Sequence, residues 1–195
     1  MEEVIKEIYN EVKRRCMLPS NAYGTGAWDH HIELVYKLTL DTYQEYNADK
    51  TIVALAALLH DIASVTDKNY TENHHIIGAD IAQKLLQQYD LSHIQIQQIT
   101  DCILNHRGSV LKEKLSPEEI CIADCDAMAH FYSIPSLLRM VYVEKNLTID
   151  EGVEFVYNKL ERSYNKLSEN GKKLVTPQRE AAKLLLLTYS NKKTD

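Results

Sequence analysis

The chain has 195 residues, with 22 Lys+Arg against 28 Asp+Glu and a formal net charge of −6. That length suits one domain of roughly 100–200 residues, and 45% apolar with 26% charged residues excludes wholesale disorder. The acidic balance argues against a dedicated nucleic-acid binder, and no apolar run approaches the roughly 20 residues of a membrane span.

The pattern predicts helices throughout. Val4, Ile5, Ile8 and Val12 recur near helical spacing, and Pro19 ends that segment. Residues 21–27 contain two glycines and read as a loop. Asp29 is the predicted N-cap of a helix carrying Ile32, Val35 and Leu38 and reaching Tyr46. Asn47-Ala48-Asp49 is a turn, and Asp49 caps the next helix, Thr51 to about Ala63. From Ile52 to Leu59 that helix is apolar on nearly every side, which puts it at the centre of its domain. Residues 64–73 read as a polar loop. Further helices are predicted at about 75–89, 92–106, 117–130, 134–146, 149–169 and 177–190. Thr148 and Thr176 are caps, and Pro177 sits at a first helical position. No segment has strand period, and residues 191–195 read as a frayed tail.

The four cysteines, at 16, 102, 121 and 125, form no Cys-x-x-Cys pair. Cys121 and Cys125 share a helix face and read as buried thiols, as expected in a reducing cytosol. The first residues lack the basic-then-apolar order of a signal peptide, so a soluble cytoplasmic protein is expected. The basic clusters Lys13-Arg14-Arg15, Lys172-Lys173 and Lys192-Lys193 read as solvated helix ends or tail.

The histidines carry the chemistry. His60-Asp61 closes the all-apolar helix, where burying both side chains is costly unless they are paired or hold a metal. Taken alone, that pair reads first as an Asp orienting a core histidine. It has company, however. His31 opens the preceding helix, His74-His75 opens a later one, and His106 closes another. Asp124 and Asp126 lie in the helix after that. Each helix can point one ligand into a shared bundle interior. A mixed His/carboxylate set suits a divalent ion: iron, manganese, nickel, zinc or magnesium. Adjacent helical residues point about 100° apart, so one of His30 and His31, and one of His74 and His75, can face such a site. His93 and His130 read as surface or structural.

The order His31 … His60-Asp61 … Asp126 resembles the HD-domain superfamily of metal-dependent phosphohydrolases. The segment from Ala56 through Ile62 is similar to the one that names the family. Asp29-His30-His31-Ile32-Glu33 resembles its first motif, and Cys125-Asp126-Ala127-Met128 its last. The resemblance implies an all-α bundle, a single domain over 1–195 with a core at about 25–130 and a helical extension at about 131–190. It implies one metal held by His31, His60, Asp61 and Asp126; of the two aspartates Asp126 is the chosen ligand, and Asp124 is a candidate to orient a ligand imidazole. His75, preferred to His74 for its spacing to Gly78-Ala79, and His106 match the extra histidines of two-metal members, in which Asp61 bridges.

Two substrates are disfavoured. The Gly-Tyr-Pro motif of cyclic-di-GMP phosphodiesterases is missing, and Ser64 and Val65 stand near where ppGpp hydrolases carry paired acids. The family's basic residue after the first motif is Leu34 here, and its glycine after His-Asp-Ile is Ala63. The expected reaction is hydrolysis of a phosphomonoester or phosphodiester of a small, nucleotide-like molecule by metal-activated water. Asp61 or a neighbouring carboxylate is the general base, and Lys68 a second catalytic candidate. Lys68 and Arg107 are the phosphate-binding candidates, against a plain reading as solvated charge. Two competing classes are a mixed-valent di-iron oxygenase and a non-catalytic metal or ligand sensor. The expected partner is a small phosphate ester, with no membrane; an oligomer is compatible with the sequence. The loops at 64–73 and 106–116 are expected to choose the substrate.

Overall fold

The computed structural model describes residues 1–107 and 116–190, and among these there is no β-strand. The fold is all-α, as the sequence predicts. The chain divides into two compact units, Met1–Asp126 and Ala127–Asp195. The greater part of the predicted 106–116 loop, and the tail at 191–195, lie outside the described residues.

The first unit opens with α1 (Glu2–Cys16). Glu2 and Glu3 fill its first turn and Lys13, Arg14 and Arg15 its last, the charge order that complements the helix dipole. A π-helical turn, Trp28–Ile32, runs directly into α2 (Glu33–Thr42). Asp29 therefore lies inside a helical segment and does not cap it. The reason is local: Ala27 already has helical angles, φ −53° and ψ −43°. Trp28 is pulled into the core, its ring 4.6 Å from that of Tyr9, edge to face.

Next comes α3 (Lys50–Leu59), capped as predicted by Asp49, whose side chain accepts from the N–H groups of Thr51 and Ile52 at 2.8 and 3.0 Å. All eight residues from Ile52 to Leu59 are buried. The predicted continuation to Ala63 breaks at His60-Asp61, and α4 (Ile62–Thr66) follows. His60 Nδ1–H donates to the Ala57 carbonyl at 2.7 Å, the acceptor an unbroken helix would offer to the Asp61 N–H. Asp61 takes φ −110° and ψ 19°, outside the helix. Much of the predicted 64–73 loop is thus ordered as α4 and a 3₁₀ turn, Lys68–Tyr70, with Ala63 and Val65 buried.

Two helices of equal length, α5 (His74–Leu86) and α6 (His93–Asn105), and then α7 (Pro117–Tyr132) complete the frame. α1 lies against α3 and α4, α2 and α6 against α3, and α5 against α4 and α6. A Cβ on Gly78 would meet Ile103, Ile62 and Ala63 at 3.4–3.8 Å, which marks the face α5 turns to its neighbours. Tyr46 and Thr42 reach α7 through Asp124 and Cys125. All four cysteines are buried and free, as expected.

In the second unit, α8 (Ile134–Arg139) passes into a π-helical turn, Met140–Glu144, and then α9 (Ile149–Lys166) pairs with α10 (Glu169–Ser190). Thr148 caps α9 in a reciprocal capping box with Glu151, as predicted. The expectation for the last helix changes. α10 begins eight residues before Pro177 and runs through it, so Thr176 is no cap; its hydroxyl donates back to the Lys172 carbonyl at 2.6 Å. Burial of Val175, Ala182 and Leu186 along one side holds the turn that Pro177 cannot bond. Arg179 joins the two helices, forked onto Glu161 at 3.0 and 2.7 Å with its guanidinium over the Tyr164 ring. His130 is structural, 3.1 Å from the Ser163 hydroxyl, and His93 is exposed. Among the described residues no helix is long and apolar enough to cross a membrane.

Candidate metal centre

Six side chains from five segments converge inside the first unit. His31 comes from the π-helical turn, where the wider backbone leaves His30 exposed and half-buries His31. His60 and Asp61 come from the α3–α4 break, His74 from the start of α5, His106 from the end of α6, and Asp126 from α7. They form two groups of potential ligands: His31, His60 and Asp126, and Asp61, His74 and His106, with the donor atoms of each group within 4.8 Å of one another.

Asp61 stands between the groups. Its Oδ2 lies 3.2 Å from His31 Nε2 and 3.6 Å from His60 Nε2. Its Oδ1 lies 3.5 Å from His74 Nε2 and 3.9 Å from His106 Nε2. Asp126 Oδ1 sits 3.5 Å from His31 Nε2 and 4.0 Å from His60 Nε2. The helix break makes this possible: in an unbroken helix Asp61 would project about 100° away from His60.

The donor chemistry fits a cation. His60, His74 and His106 each turn Nδ1 to a backbone carbonyl, of Ala57, Thr71 and Ile103, at 2.7, 2.8 and 2.6 Å. Each Nδ1 must carry the proton, which leaves Nε2 as a bare lone pair in the neutral ring. In those neutral tautomers His74 Nε2 and His106 Nε2 face each other at 3.3 Å as two lone pairs. His60 Nε2 and His31 Nε2 stand 3.2 Å apart. Donors about 2.1 Å from one ion are separated by roughly 3.0–3.5 Å at right to tetrahedral angles. The backbone carbonyls are the outer partners that aim ligand imidazoles.

Electrostatics agree. Burial pushes the Asp61 carboxyl up, but His60, His31 and His106 outweigh it and hold it well below the usual carboxylate range. Burial lowers His60 and His106, and a neighbouring imidazole lowers each further, which favours the neutral, ligating ring.

One expected member changes. The structure brings His74 into the cluster in place of His75. His74 lies a full turn, four residues, before Gly78 and so shares its inward face, whereas His75 is rotated off it. His75 keeps a buried Nδ1 without a hydrogen-bond partner, and burial, His74 and Arg107 lower its pKa. Spacing to Gly78 could not separate the two, since residues three and four before it both lie near its face; the packing of α5 decided.

The remaining candidates are placed around the cluster. Arg107 borders it, its guanidinium donating to the Glu72 carbonyl at 2.7 Å. Lys68 is exposed; its backbone N–H donates to the Ser20 carbonyl at 2.8 Å, and its side chain lies on the solvent side of its turn. Asp124 accepts from the Tyr46 hydroxyl at 2.9 Å. Tyr23 and Ser64, which no sequence pattern singled out, stand beside Asp61. Burial and the charge of Asp61 raise the Tyr23 hydroxyl above its ordinary range.

The HD domain family model matches residues 28–130, the stretch that holds all six residues. Ribonuclease Y of Clostridium kluyveri is 30% identical over 143 residues, 70% of this chain and 26% of that protein. Ribonuclease Y of Thermotoga petrophila is 29% identical over 109 residues, 55% of this chain and 19% of that protein. The chain thus spans about a fifth to a quarter of the curated relatives it matches. The crystal structure of Bacillus subtilis YpgQ in complex with ADP shares the fold, with a TM-score of 0.70 at 16% identity over 97% of this chain and 98% of that one. Family match, fold and the ordered His and Asp residues together make this chain a member of the HD-domain family, within the superfamily of metal-dependent phosphohydrolases.

Proposed function

We propose that this HD domain hydrolyses a phosphate ester of a small, nucleotide-like molecule. One divalent ion would be held by His31, His60 and Asp126 with Asp61, and a second by His74 and His106 with Asp61. The observation that carries the reading is the bare-nitrogen pair His74 and His106, facing at 3.3 Å across from Asp61 Oδ1. In the neutral tautomers two lone pairs in that position repel, and a cation between them relieves the repulsion. The donor set suits manganese, iron, nickel or zinc, and magnesium less well.

When bound, a divalent ion lowers the pKa of its water and offsets charge on a phosphoryl oxygen. The chain's own residues supply the rest. Asp61 stays anionic and spans both groups. With one oxygen 3.2 and 3.6 Å from His31 and His60 and the other 3.5 and 3.9 Å from His74 and His106, its role is to hold and orient. Asp126, with 23% of its side chain exposed, is the carboxylate on the solvent side and takes the proton of the attacking water. Arg107, already anchored by one N–H on the Glu72 carbonyl, offers its remaining donors to a phosphate. Lys68, exposed in the turn after α4, is a second candidate for the same group as a point charge. The ADP of the YpgQ complex and the ribonuclease name of the curated relatives both support a nucleotide-type ester. The net charge of −6 favours the small ester over a long polyanion.

The test is elemental analysis of protein purified without chelator or affinity metal, beside His60→Ala, followed by phosphate release under anaerobic conditions. The panel includes ADP, p-nitrophenyl phosphate and a short RNA. Metal that is lost in His60→Ala, with anaerobic turnover of a small ester, supports the proposal. No metal in the wild type, and none taken up on addition, refutes it. The six-residue set also supports a second reading, a mixed-valent di-iron oxygenase, which predicts a coloured protein with two iron equivalents that consumes oxygen. Metal-loaded protein that binds nucleotide without turnover would instead mark a sensor.

A further inference from the structure

Residues 20–26 are laced along α4. The Ala22 N–H donates to the Ser64 carbonyl at 3.0 Å, the Lys68 N–H to the Ser20 carbonyl at 2.8 Å, and Ser20 Oγ to the Thr66 carbonyl at 2.7 Å. Asn21 clamps the loop from within. Its Nδ2 donates to the carbonyls of Cys16 and Gly24 at 2.7 and 2.9 Å, and its Oδ1 accepts from the Tyr23 N–H at 2.8 Å. Gly24 closes the turn at φ +70°, a conformation that a side chain resists.

This scaffold holds Tyr23 edge-on to the His31 ring, with centroids 6.1 Å apart and planes at 76°. One side of the tyrosine is open to solvent, while its hydroxyl lies beside Asp61 and Ser64 and within the field of Asp126. Ser64 is fully buried, and its Oγ makes no hydrogen bond of normal geometry. Buried hydroxyls without a partner are rare and call for an explanation. Here the orphan stands next to the tyrosine hydroxyl that borders the first ligand group.

We propose that the Tyr23 hydroxyl, positioned by Ser64, is the donor that seats a phosphoryl oxygen of the substrate over His31 and Asp126. The inference rests on the phosphohydrolase reading and adds a substrate contact to it. A phenol is neutral and protonated at pH 7, so it binds an anionic oxygen without adding charge to the cluster. Hydrogen bonds to phosphate oxygens are charge-assisted and stronger than those between neutral groups. Ser64 can donate to the tyrosine oxygen while Tyr23 turns its one proton from the Asp61 carboxylate beside it to the phosphate, which gives the orphan hydroxyl its partner. Ser64 is therefore a positioning residue, and Tyr23 touches the substrate.

The experiment uses the full chain loaded with manganese and inorganic phosphate as the probe. Phosphate binding is measured by calorimetry, metal content by elemental analysis and folding by thermal unfolding. Tyr23→Phe is expected to keep its metal and its melting temperature and to bind phosphate about 10-fold more weakly, the loss of one charge-assisted hydrogen bond. Ser64→Ala is expected to weaken it about 2- to 5-fold by the same route. With p-nitrophenyl phosphate, Tyr23→Phe should raise KM more than it lowers kcat. If Tyr23→Phe does not fold, Ser64→Ala carries the test. A folded variant that binds phosphate as the wild type does overturns the subsite and leaves the hydrolase reading standing. Loss of metal in Tyr23→Phe also overturns it, since the hydroxyl would then belong to the metal cluster. A metal-loaded wild type that neither binds phosphate nor hydrolyses any ester overturns both.

Discussion

Replacing His74 and His75 in turn separates the two registers of α5. His74 Nε2 stands 3.3 Å from His106 Nε2 and 3.5 Å from Asp61 Oδ1, so His74→Ala removes one of the three donors of the second group. The first group, His31, His60 and Asp126, is left whole. Loss of an orienting partner alone typically lowers metal affinity about 10- to 100-fold, so loss of a direct donor should cost at least about 100-fold. An ion present at about 100 times its Kd stabilises a fold by about 2.7 kcal/mol. For a chain of this size that is about 5–11 °C in Tm. His74→Ala should lose that increment when metal is added and should show one metal equivalent fewer than wild type. Without metal the variant should melt close to wild type, since relief of two facing lone pairs offsets the lost hydrogen bond to Thr71. His75→Ala should keep the full metal content. Differential scanning fluorimetry with and without manganese, beside elemental analysis, reads both. A His74→Ala protein with undiminished metal, beside a His75→Ala protein that loses an equivalent, would refute the geometry.

Two further outcomes test the packing away from the site. A Cβ at Gly152 would lie 2.3 Å from Tyr142 Cε1, so Gly152→Ala should destabilise the second unit by about 1–3 kcal/mol in urea unfolding; an unchanged midpoint would contradict that contact. Arg14, with Arg15, holds the Glu11 carboxyl down at about 2. A depressed carboxyl contributes stability above its unfolded value of about 4.3 and loses it as pH falls toward the folded one. Glu11→Gln should therefore flatten the stability curve between those limits, by less than about 1 kcal/mol because the group faces solvent. Identical slopes for variant and wild type would count against the pair.

The all-helical class, the central position of Ile52–Leu59 and the caps at Asp49 and Thr148 were all legible in the sequence. They depend on contacts a few residues apart: an apolar period, or a side chain reaching N–H groups two or three positions on. The ligand candidates were legible for a related reason. Histidines and carboxylates on otherwise apolar helices are costly to bury without a purpose, and their order matched the HD-domain pattern.

Tertiary structure decided where each helix stops and which way it turns. Pro177 looked like a helix start because its missing N–H is cheapest there, yet the packed side of α10 carries the helix through it. His60-Asp61 read as the last turn of a helix ending at about Ala63, but His60 takes the Ala57 carbonyl and the backbone turns Asp61 between the two ligand groups. The choice between His74 and His75 rests on which face of α5 meets Ile62 and Ile103. Tyr23 and Ser64 had no signal at all, since they are far apart in the chain and meet only because residues 20–26 fold back along α4. Local periodicity sets which residues share a helix face, but the direction that face points is fixed by long-range packing.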